Sequence, residues 1–330
     1  MKIWIGLILG LATGSLTTLI FINNYSIRKY LSPVAENQTP KVKPLEKYTI
    51  ETLRRREFKP SQIILDEQIA SAQDFTTHKF HFDSDGKKIT GLVHIPIGKP
   101  GQKFPAIVQF RGFVEKEKYA PGIGTQRSAE VFAQNGFISL APDFLGYGGS
   151  ASPSADVFAE RFETYTTALN LLASVSTLPQ TDAGKVGIWG HSNGGQIALT
   201  VLEIVNKSYP TSVWAPVTKP FPYSILYYTD EFDDRGKMLR QKLAQFESMY
   251  DVELYSMRNY LDYIQSPLQL HQGTQDDAVP KKWSDEFVDL IQDKGKTIAY
   301  YTYTGADHNL SGSWKMVVAR DVDFFNKYLR

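Results

Sequence analysis

The sequence predicts an α/β protein with a mostly parallel central sheet, helices on both faces and a helical insertion near residues 217–262. Short runs rich in β-branched and aromatic residues alternate with longer amphipathic runs along the chain. This alternation is typical of strand–helix units in a parallel sheet. The inner strand-like runs are apolar throughout, as expected for strands that are buried on both faces.

The predicted elements follow in a regular order. Two strands, 75–83 and 89–95, are separated by Ser84-Asp85-Gly86, which is a hairpin signal. This antiparallel opening makes the predicted sheet mixed. Strands and helices then alternate: the predicted strands are 105–110, 137–141, 185–189, 212–214, 268–271 and 298–303, and the predicted helices are 126–134, 157–172, 196–205, 238–250, 285–292 and 314–328.

The composition favours one large globular domain and excludes several classes of function. The 330 residues carry 36 Lys and Arg against 35 Asp and Glu, a net charge of +1, and no cysteine. A balanced charge argues against electrostatic binding of nucleic acid. Without cysteine there is no disulfide framework, no thiolate zinc site and no thiol nucleophile. No spacing of His, Asp and Glu indicates another metal site, and we expect no cofactor.

The N-terminus opens with an uncharged, apolar run over residues 3–22. A helix of that length spans roughly 30 Å, the hydrocarbon thickness of a bilayer. We therefore predict a transmembrane anchor over residues 1–24 and a polar tether over 25–46, followed by a catalytic domain over 47–330. A cleaved signal segment and a buried core helix are the alternatives for the apolar run.

Basic residues on either side of the apolar run bear on the orientation of the anchor. Arg28 and Lys29 come after the run, and the preference of Lys and Arg for the cytoplasmic side favours keeping them inside. Lys2 before a single apolar helix is instead typical of a signal anchor that exports the rest of the chain. We predict the second orientation, with a membrane-anchored domain outside the cytoplasm.

The strongest chemical signal is the run GHSNGG at residues 190–195, which lies between a predicted strand and a predicted helix. A serine at such a sharp turn has strained backbone geometry and needs very small neighbours, which Gly190 and Gly194 supply. The turn carries the hydroxyl beyond the end of the sheet. We therefore predict Ser192 as a nucleophile and the backbone N–H of Asn193 as an oxyanion donor.

A serine hydroxyl needs a base to take its proton, and the base needs a carboxylate to orient it. His308 comes after the last predicted strand, at the carboxyl end of the sheet where the serine turn also lies. Asp276 and Asp277 come after the preceding strand at the same edge, and either could orient the imidazole. We predict His308 as the base and Asp276 as its partner, with Asp277 capping the next helix. His271 is expected to support the strand end.

The loop after the first parallel strand is expected to complete the oxyanion site. Gly112 permits close approach of the backbone, and the N–H of Phe113 is the second predicted donor. Arg111 has two interpretations that the sequence does not separate. Its guanidinium is either a charged contact to substrate or a partner in a surface salt bridge to Glu115 or Glu117.

Aromatic residues of the insertion are candidates for substrate contact. Tyr223 and Tyr227 lie within a cluster of aromatic side chains. Large aromatic rings line many ligand pockets, and they also fill the undersides of packed segments. The two residues are therefore expected either to line an acyl or S1-like pocket or to pack beneath the insertion.

Several segments between residues 75 and 330 carry a family resemblance. They are Asp85-Gly86, Phe104-Pro105-Ala106-Ile107-Val108, the run 143–150 (DFLGYGGS), the run 187–195 (GIWGHSNGG), the run 271–280 (HQGTQDDAVP) and Asp307-His308. In this order they resemble the catalytic domain of the prolyl oligopeptidase family (peptidase S9) and related α/β-hydrolase esterases. The order Ser192, Asp276, His308 along the chain is also that of α/β-hydrolases. The resemblance implies the α/β-hydrolase fold and serine chemistry.

The chain also departs from the family pattern. Leu145 stands where the family often has Arg, Gln272 is an extra residue, and the run 111–113 replaces an aromatic or His followed by glycines. Only some 30 residues separate the tether from the first predicted strand, too few for the β-propeller of the larger peptidases. That propeller filters substrates by size, so the resemblance does not bring this restriction with it.

Together these features predict a membrane-tethered serine hydrolase that forms an acyl-enzyme on Ser192 and cleaves peptide bonds. A carboxylesterase or other acyl hydrolase of the same fold is the alternative, because both reactions use the same groups. A non-catalytic binding module is the alternative from another class. Such modules usually lack a triad member, whereas this chain has a candidate for each. The expected partners are a small peptide or ester and the membrane.

Overall fold

The computed structural model describes residues 42–330. The predicted anchor and most of the tether lie outside these residues, so both stay predictions. Residues Pro44–Arg330 form one compact unit, against a predicted start at residue 47. Leu45 belongs to this unit because its backbone N–H donates to the Tyr250 hydroxyl and its carbonyl accepts from Tyr255. The helices within residues 42–330 are all too short or too polar to cross a bilayer.

A nine-stranded sheet, counted over residues 42–330, forms the centre of the unit, in the spatial order β1-β2-β3-β5-β4-β6-β7-β8-β9. The first three strands pair antiparallel, β3 pairs antiparallel with β5, and all other neighbours are parallel. The predicted mixed, mostly parallel sheet is confirmed. The strands are β1 (Ile64–Ser71), β2 (Phe75–Ser84), β3 (Lys87–Pro96), β4 (Phe104–Phe110), β5 (Ile138–Pro142), β6 (Thr181–His191), β7 (Thr211–Trp214), β8 (Leu268–Gly273) and β9 (Ile298–Tyr303).

Helices cover both faces of the sheet, and each face has its own apolar core. Residues of α3, α4 and α7 belong to the larger buried cluster. Residues of α2 and α8 belong to a second cluster on the opposite face, which contains Trp189 and Trp214. The helices are α1 (Ile50–Arg55), α2 (Gln126–Gln134), α3 (Val157–Ser174), α4 (Asn193–Ile204), α5 (Tyr223–Leu226), α6 (Lys237–Glu247), α7 (Lys281–Asp293) and α8 (Trp314–Leu329).

Two elements had no counterpart in the sequence prediction. Seven of the eight residues of β1 are exposed, so this edge strand has no apolar face that a pattern could reveal. Helix α1 has only six residues, too few to show a helical period, although Thr49 caps it by accepting a hydrogen bond from the backbone N–H of Thr52. The insertion is helical as predicted, with α5, α6 and several 3₁₀ turns.

The carboxyl ends of the parallel strands meet at one edge of the sheet. In register, Phe110 of β4 lies beside Gly190 of β6, and Trp214 of β7 lies between His191 and His271. The loops after these strands therefore converge. This is the edge at which ligands bind in open α/β sheets.

Candidate active site

Ser192 lies at a sharp turn between β6 and α4. Its φ of 57° and ψ of −120° are strained for a residue with a side chain. A Cβ on Gly190 would lie 2.5 Å from the carbonyl oxygen of Gly194, and a Cβ on Gly194 would lie 1.9 Å from that of Phe110. Side-chain atoms do not approach a backbone so closely, so only glycine fits at either position. The small neighbours predicted for this turn are thus required by its geometry.

Asp276 and His308 are in contact beyond the ends of β8 and β9. His308 Nδ1 lies 2.9 Å from Asp276 Oδ2 and 3.0 Å from Oδ1. The carboxylate is fully buried and also accepts from the N–H groups of Ala278 and Val279 and from Gln272 Nε2, at 2.8–3.0 Å. Because Nδ1 donates to the carboxylate, Nε2 carries the lone pair that a base needs.

The neighbouring aspartate has no such contacts. Asp277 is exposed, and the expectation that it caps the next helix is wrong. Helix α7 begins at Lys281, and Pro280 precedes it without any side-chain cap. Pro280 occupies the position before the helix in an extended conformation, and Asp277 lies three residues earlier in the chain.

The ring of His308 lies beside the serine turn. Its centroid is 4.7 Å from that of His191, the residue before Ser192. His191 Nε2–H donates to the main-chain carbonyl of His308 at 3.0 Å. Within residues 42–330 no hydrogen bond joins the Ser192 hydroxyl to His308, and such bonds are often long before substrate binds.

His191 is a neutral imidazole at neutral pH. Burial lowers its pKa to about 4, and the nearby His308 ring adds to the lowering. Because a carbonyl oxygen only accepts, the contact to His308 also decides which ring nitrogen of His191 carries the hydrogen. His191 therefore serves as an uncharged donor that holds the loop of the candidate base.

The two predicted oxyanion donors, the backbone N–H groups of Asn193 and Phe113, stay predictions. A Cβ on Gly112 would lie 3.1 Å from the Ser192 Cβ, so the loop after β4 approaches the turn closely. Phe113 is the next residue, and it is 75% exposed. Asn193 is the first residue of α4, so its N–H has no partner within the helix and lies at the positive end of the helix dipole.

Arg111 is buried and holds the same loop in shape. Its Nη1 donates to the carbonyl of Gly112 at 2.9 Å and its Nη2 to that of Asp143 at 3.2 Å. The guanidinium lies 4.1 Å from the ring centroid of Tyr147 and 4.7 Å from that of Tyr119. Contact between Arg111 and substrate stays a prediction.

The alternative expectation for Arg111, a surface salt bridge to Glu115 or Glu117, is wrong. Arg111 is only 7% exposed and takes part in no ion pair with residues 42–330. Glu115 pairs with Lys118 instead, at 2.6 Å. Stacking of the Tyr119 and Tyr147 rings on the guanidinium stabilises it in this buried position.

Tyr223 and Tyr227 form an aromatic cluster with Tyr228 and with Trp283 of α7. The rings of Tyr223 and Tyr227 lie 6.0 and 4.6 Å from Trp283. Both remain partly open, with 47% and 40% of their surface exposed. Tyr228 donates its hydroxyl to a main-chain carbonyl in the loop that carries Asp276, at 3.2 Å. Through Tyr228 the aromatic cluster contacts the loop that carries Asp276, and the part of Tyr223 and Tyr227 in a substrate pocket stays a prediction.

Two residues support the site without having been predicted to do so. Gln272 donates to Asp276 and is itself held by the Ser284 hydroxyl at 2.7 Å, and His191 holds the His308 loop. Each is a polar residue near the carboxyl end of a buried parallel strand. That placement was the one signal in the sequence that could have found them.

Cavities and ion-binding groups complete the description. A cavity of about 500 Å³ lies beside the serine turn and includes His191, Trp189 and Trp314 in its lining. A larger cavity of about 720 Å³ lies at the amino ends of β8 and β9, beside Leu268 and Ile298. Because that end of the sheet is remote from Ser192, we assign it no part in the site. No group of three or more His, Asp and Glu residues suited to a metal occurs within residues 42–330.

Solved structures share this architecture. The chain is similar to an acetyl xylan esterase from Paenibacillus sp. R4 (17% identity, TM-score 0.61, 85% of this chain and 92% of that chain). It is also similar to an S-formylglutathione hydrolase from Agrobacterium tumefaciens (14%, 0.60, 81% and 99%) and to an acylaminoacyl peptidase from Pyrococcus horikoshii (19%, 0.60, 78% and 43%). At such identities these likenesses show the fold, which confirms the predicted α/β-hydrolase architecture.

The family itself is shown by sequence. A model of the prolyl oligopeptidase family matches residues 124–330, more than half of the chain. The match includes the serine turn and the loops after β8 and β9. The protein is therefore a hydrolase enzyme with the α/β-hydrolase fold, and it belongs to the prolyl oligopeptidase family of serine hydrolases.

Proposed function

We propose that this protein cleaves peptide bonds through an acyl-enzyme on Ser192, with His308 as the base and Asp276 as its orienting carboxylate. The observation that carries the proposal is the contact of His308 with the buried Asp276 carboxylate beside a serine in strained geometry. Strain of this kind persists only where the surrounding structure enforces it, and it concentrates at functional sites. Membership of a peptidase family favours the peptide bond as the target.

The reaction would run in two halves. Ser192 Oγ attacks the substrate carbonyl while His308 Nε2 takes the hydroxyl proton, and His308 then gives this proton to the leaving amine. Water repeats the cycle and releases the acid. Asp276 keeps Nδ1 protonated and stabilises the imidazolium that forms between the two transfers.

The negative charge of the tetrahedral intermediate needs donors that are already in place. The N–H groups of Asn193 and Phe113 would supply them, each with about 3–4 kcal/mol of transition-state stabilisation. The glycines around Ser192 and the neutral His191 contact leave these groups little freedom to move. Such preorganisation is what lowers the barrier.

Ser192→Ala tests the proposal directly. We expect the wild type to take up one fluorophosphonate per chain, and the variant to take up none and to lose about 10⁶-fold in kcat. Ser311→Ala is the matched control, since Ser311 is exposed in the loop after His308 and hydrogen-bonds to Asp307. Intact-mass spectrometry and turnover report the result. Labelling of Ser192→Ala to the wild-type extent would rule the proposal out.

An esterase is the second candidate, and chain coverage favours it. The esterase-type structures match this chain over 92% and 99% of their own length, whereas the acylaminoacyl peptidase is matched over 43%. Parallel assays with p-nitrophenyl acyl esters and with aminoacyl and prolyl nitroanilides separate the two. Turnover of esters alone, at every peptide length tried, would replace the peptidase proposal by the esterase.

A further inference from the structure

Arg111 binds the peptide group that joins Gly112 and Phe113. Its Nη1 donates to the carbonyl oxygen of Gly112 at 2.9 Å. This peptide is trans, so its atoms lie nearly in one plane and its N–H points opposite to its C=O. The hydrogen bond that holds the Gly112 carbonyl toward the guanidinium therefore also holds the Phe113 N–H in the opposite direction.

The same peptide lies close to the serine turn. A Cβ on Gly112 would lie 3.1 Å from the Ser192 Cβ and 3.5 Å from His191 Nδ1, and the nitrogen of Phe113 is only ~2.4 Å from the Gly112 Cα. Within residues 42–330 no group accepts a hydrogen bond from the Phe113 N–H. A free donor so near the nucleophile is suited to the oxyanion of a tetrahedral intermediate.

The guanidinium that holds this peptide is itself fixed. Its Nη2 donates to the carbonyl of Asp143, which follows β5, at 3.2 Å. The rings of Tyr119 and Tyr147 stack on it. The Tyr119 hydroxyl donates to the Asp143 side chain, and the Tyr147 hydroxyl donates to the carbonyl of Val114 at 2.9 Å. The loop is therefore held on both sides of its free N–H.

The charge of Arg111 acts on the peptide as well. A guanidinium stays protonated in proteins, and a donor on a carbonyl polarises the whole peptide group. Hydrogen bonds linked in this way strengthen one another, on the order of 10–30% per bond. The contact thus makes the N–H of Phe113 a stronger donor. Both Nη atoms of Arg111 already donate to main-chain carbonyls, which favours action through the peptide over direct contact with substrate.

We propose that Arg111 is a positioning residue that orients and polarises the Phe113 N–H toward the oxyanion. The inference rests on the proposed function, because it assigns Arg111 to the oxyanion site of the same acyl-enzyme reaction. An interaction made only in the transition state changes kcat, whereas a contact that is already present in the bound substrate changes KM. Loss of Arg111 should therefore lower kcat and leave KM nearly constant.

Arg111→Met removes the donors and keeps much of the side-chain length. Loss of a whole oxyanion donor costs about 10²–10³-fold in kcat, so we expect a misaligned one to cost about 10- to 100-fold with p-nitrophenyl butyrate. KM should change by less than about threefold. The rate of fluorophosphonate labelling should fall in parallel, because the phosphonyl oxygen takes the place of the oxyanion. Arg111→Lys keeps the charge but offers a single point donor, and should recover part of the rate.

A thionoester tests the oxyanion site specifically. Sulfur is a weak hydrogen-bond acceptor, so an aligned oxyanion site favours p-nitrophenyl butyrate over its thiono analogue in kcat/KM. We expect Arg111→Met to lower this ester preference about tenfold. A change that only loosens the fold would lower both rates alike. Rates are expressed per fluorophosphonate-titrated site, so a variant that folds only in part is still measured.

Two further variants complete the comparison. Tyr147→Phe is milder, because its ring still stacks on the guanidinium and only the contact to Val114 is lost; it should lower the ester preference a few-fold. Arg54→Met is the matched control. The Arg54 guanidinium also stacks on a tyrosine, 3.6 Å from the Tyr263 ring centroid, and also donates to main-chain carbonyls, but at the last residues of α4, the end remote from the nucleophile. It should keep the wild-type kcat, KM and ester preference.

The outcomes separate the inference from the proposed function. An unchanged ester preference and labelling rate in Arg111→Met, or a raised KM at constant kcat, overturns the inference alone. Should Arg111→Met yield no titratable sites, wild-type ester preference in both Arg111→Lys and Tyr147→Phe overturns it instead. Wild type that takes up no label overturns the proposed function, and the inference falls with it.

Discussion

Two Asp–His pairs lie near the same end of the sheet, and they differ in what surrounds the second ring nitrogen. In the Asp276–His308 pair the histidine side chain is 17% exposed to solvent. In the Asp321–His271 pair Nε2 lies 3.1 Å from the carboxylate and both side chains are fully buried. There Tyr303 donates its hydroxyl to His271 Nδ1 at 2.7 Å. A lone pair that is already occupied and sealed from solvent takes no substrate proton.

Asp321 shows what the buried pair does instead. Its carboxylate accepts hydrogen bonds from the side chains of several central strands as well as from His271. These donors are Trp189 Nε1, Trp214 Nε1, Ser212 Oγ and Gln269 Nε2. The network ties α8 to β6, β7 and β8 beneath the active edge. In the proposed mechanism the same two residue types thus support chemistry in one place and architecture in the other, according to burial and the second partner.

The largest expected effect is that of Asp276→Asn on turnover. The amide no longer favours the Nδ1–H tautomer of His308, so we expect kcat to fall about 10⁴-fold. The free energy of unfolding should change far less, because the amide oxygen still accepts from the N–H groups of Ala278 and Val279. Initial rates and urea unfolding measure the two effects. A loss of kcat below tenfold would show that another carboxylate orients His308.

The opposite pattern is expected for Asp321→Ala. Removal of the carboxylate leaves several buried donors without an acceptor, which should reduce the free energy of unfolding by about 3–5 kcal/mol. Turnover per fluorophosphonate-titrated site should remain within a few-fold of wild type. Asp323→Ala, on an exposed position of the same helix, is the control for urea unfolding. Wild-type stability of Asp321→Ala would remove the distinction between the two pairs.

The smallest effect concerns the buried His94. It is 2% exposed, and neither of its ring nitrogens makes a hydrogen bond with residues 42–330. Burial lowers its pKa from 6.5 to about 4, against a small opposing effect of Glu130. The unfolded chain then binds more protons than the folded one between these values. Stability is therefore unaffected above pH 6.5 and falls as the pH drops through this window, by up to about 3 kcal/mol.

His94→Gln should reduce that pH dependence, since the amide does not titrate. We expect its free energy of unfolding to fall by up to about 3 kcal/mol less than that of wild type between pH 7 and pH 4. Urea unfolding at pH 7, 6, 5 and 4 measures the difference. Parallel curves for the two proteins would mean that His94 is protonated in the folded state without cost.

The sequence by itself determined the parts of this protein that depend on local sterics and on strand order. Gly190 and Gly194 predicted the serine turn because the turn leaves no room for a side chain at these two positions. The order of the parallel strands predicted that residues 276 and 308 would reach the same edge, and the structure brings Asp276 and His308 into contact there. Such information resides in a few adjacent residues or in the succession of elements.

Only the tertiary structure decided which polar groups pair. It paired His308 with Asp276 and not with Asp277, placed His271 on Asp321, and turned Arg111 inward to the carbonyl of Asp143. Each of these contacts joins groups that are distant in sequence. Their contacts depend on how helices pack on a twisted sheet and on which atoms packing removes from water, and no local pattern encodes either quantity.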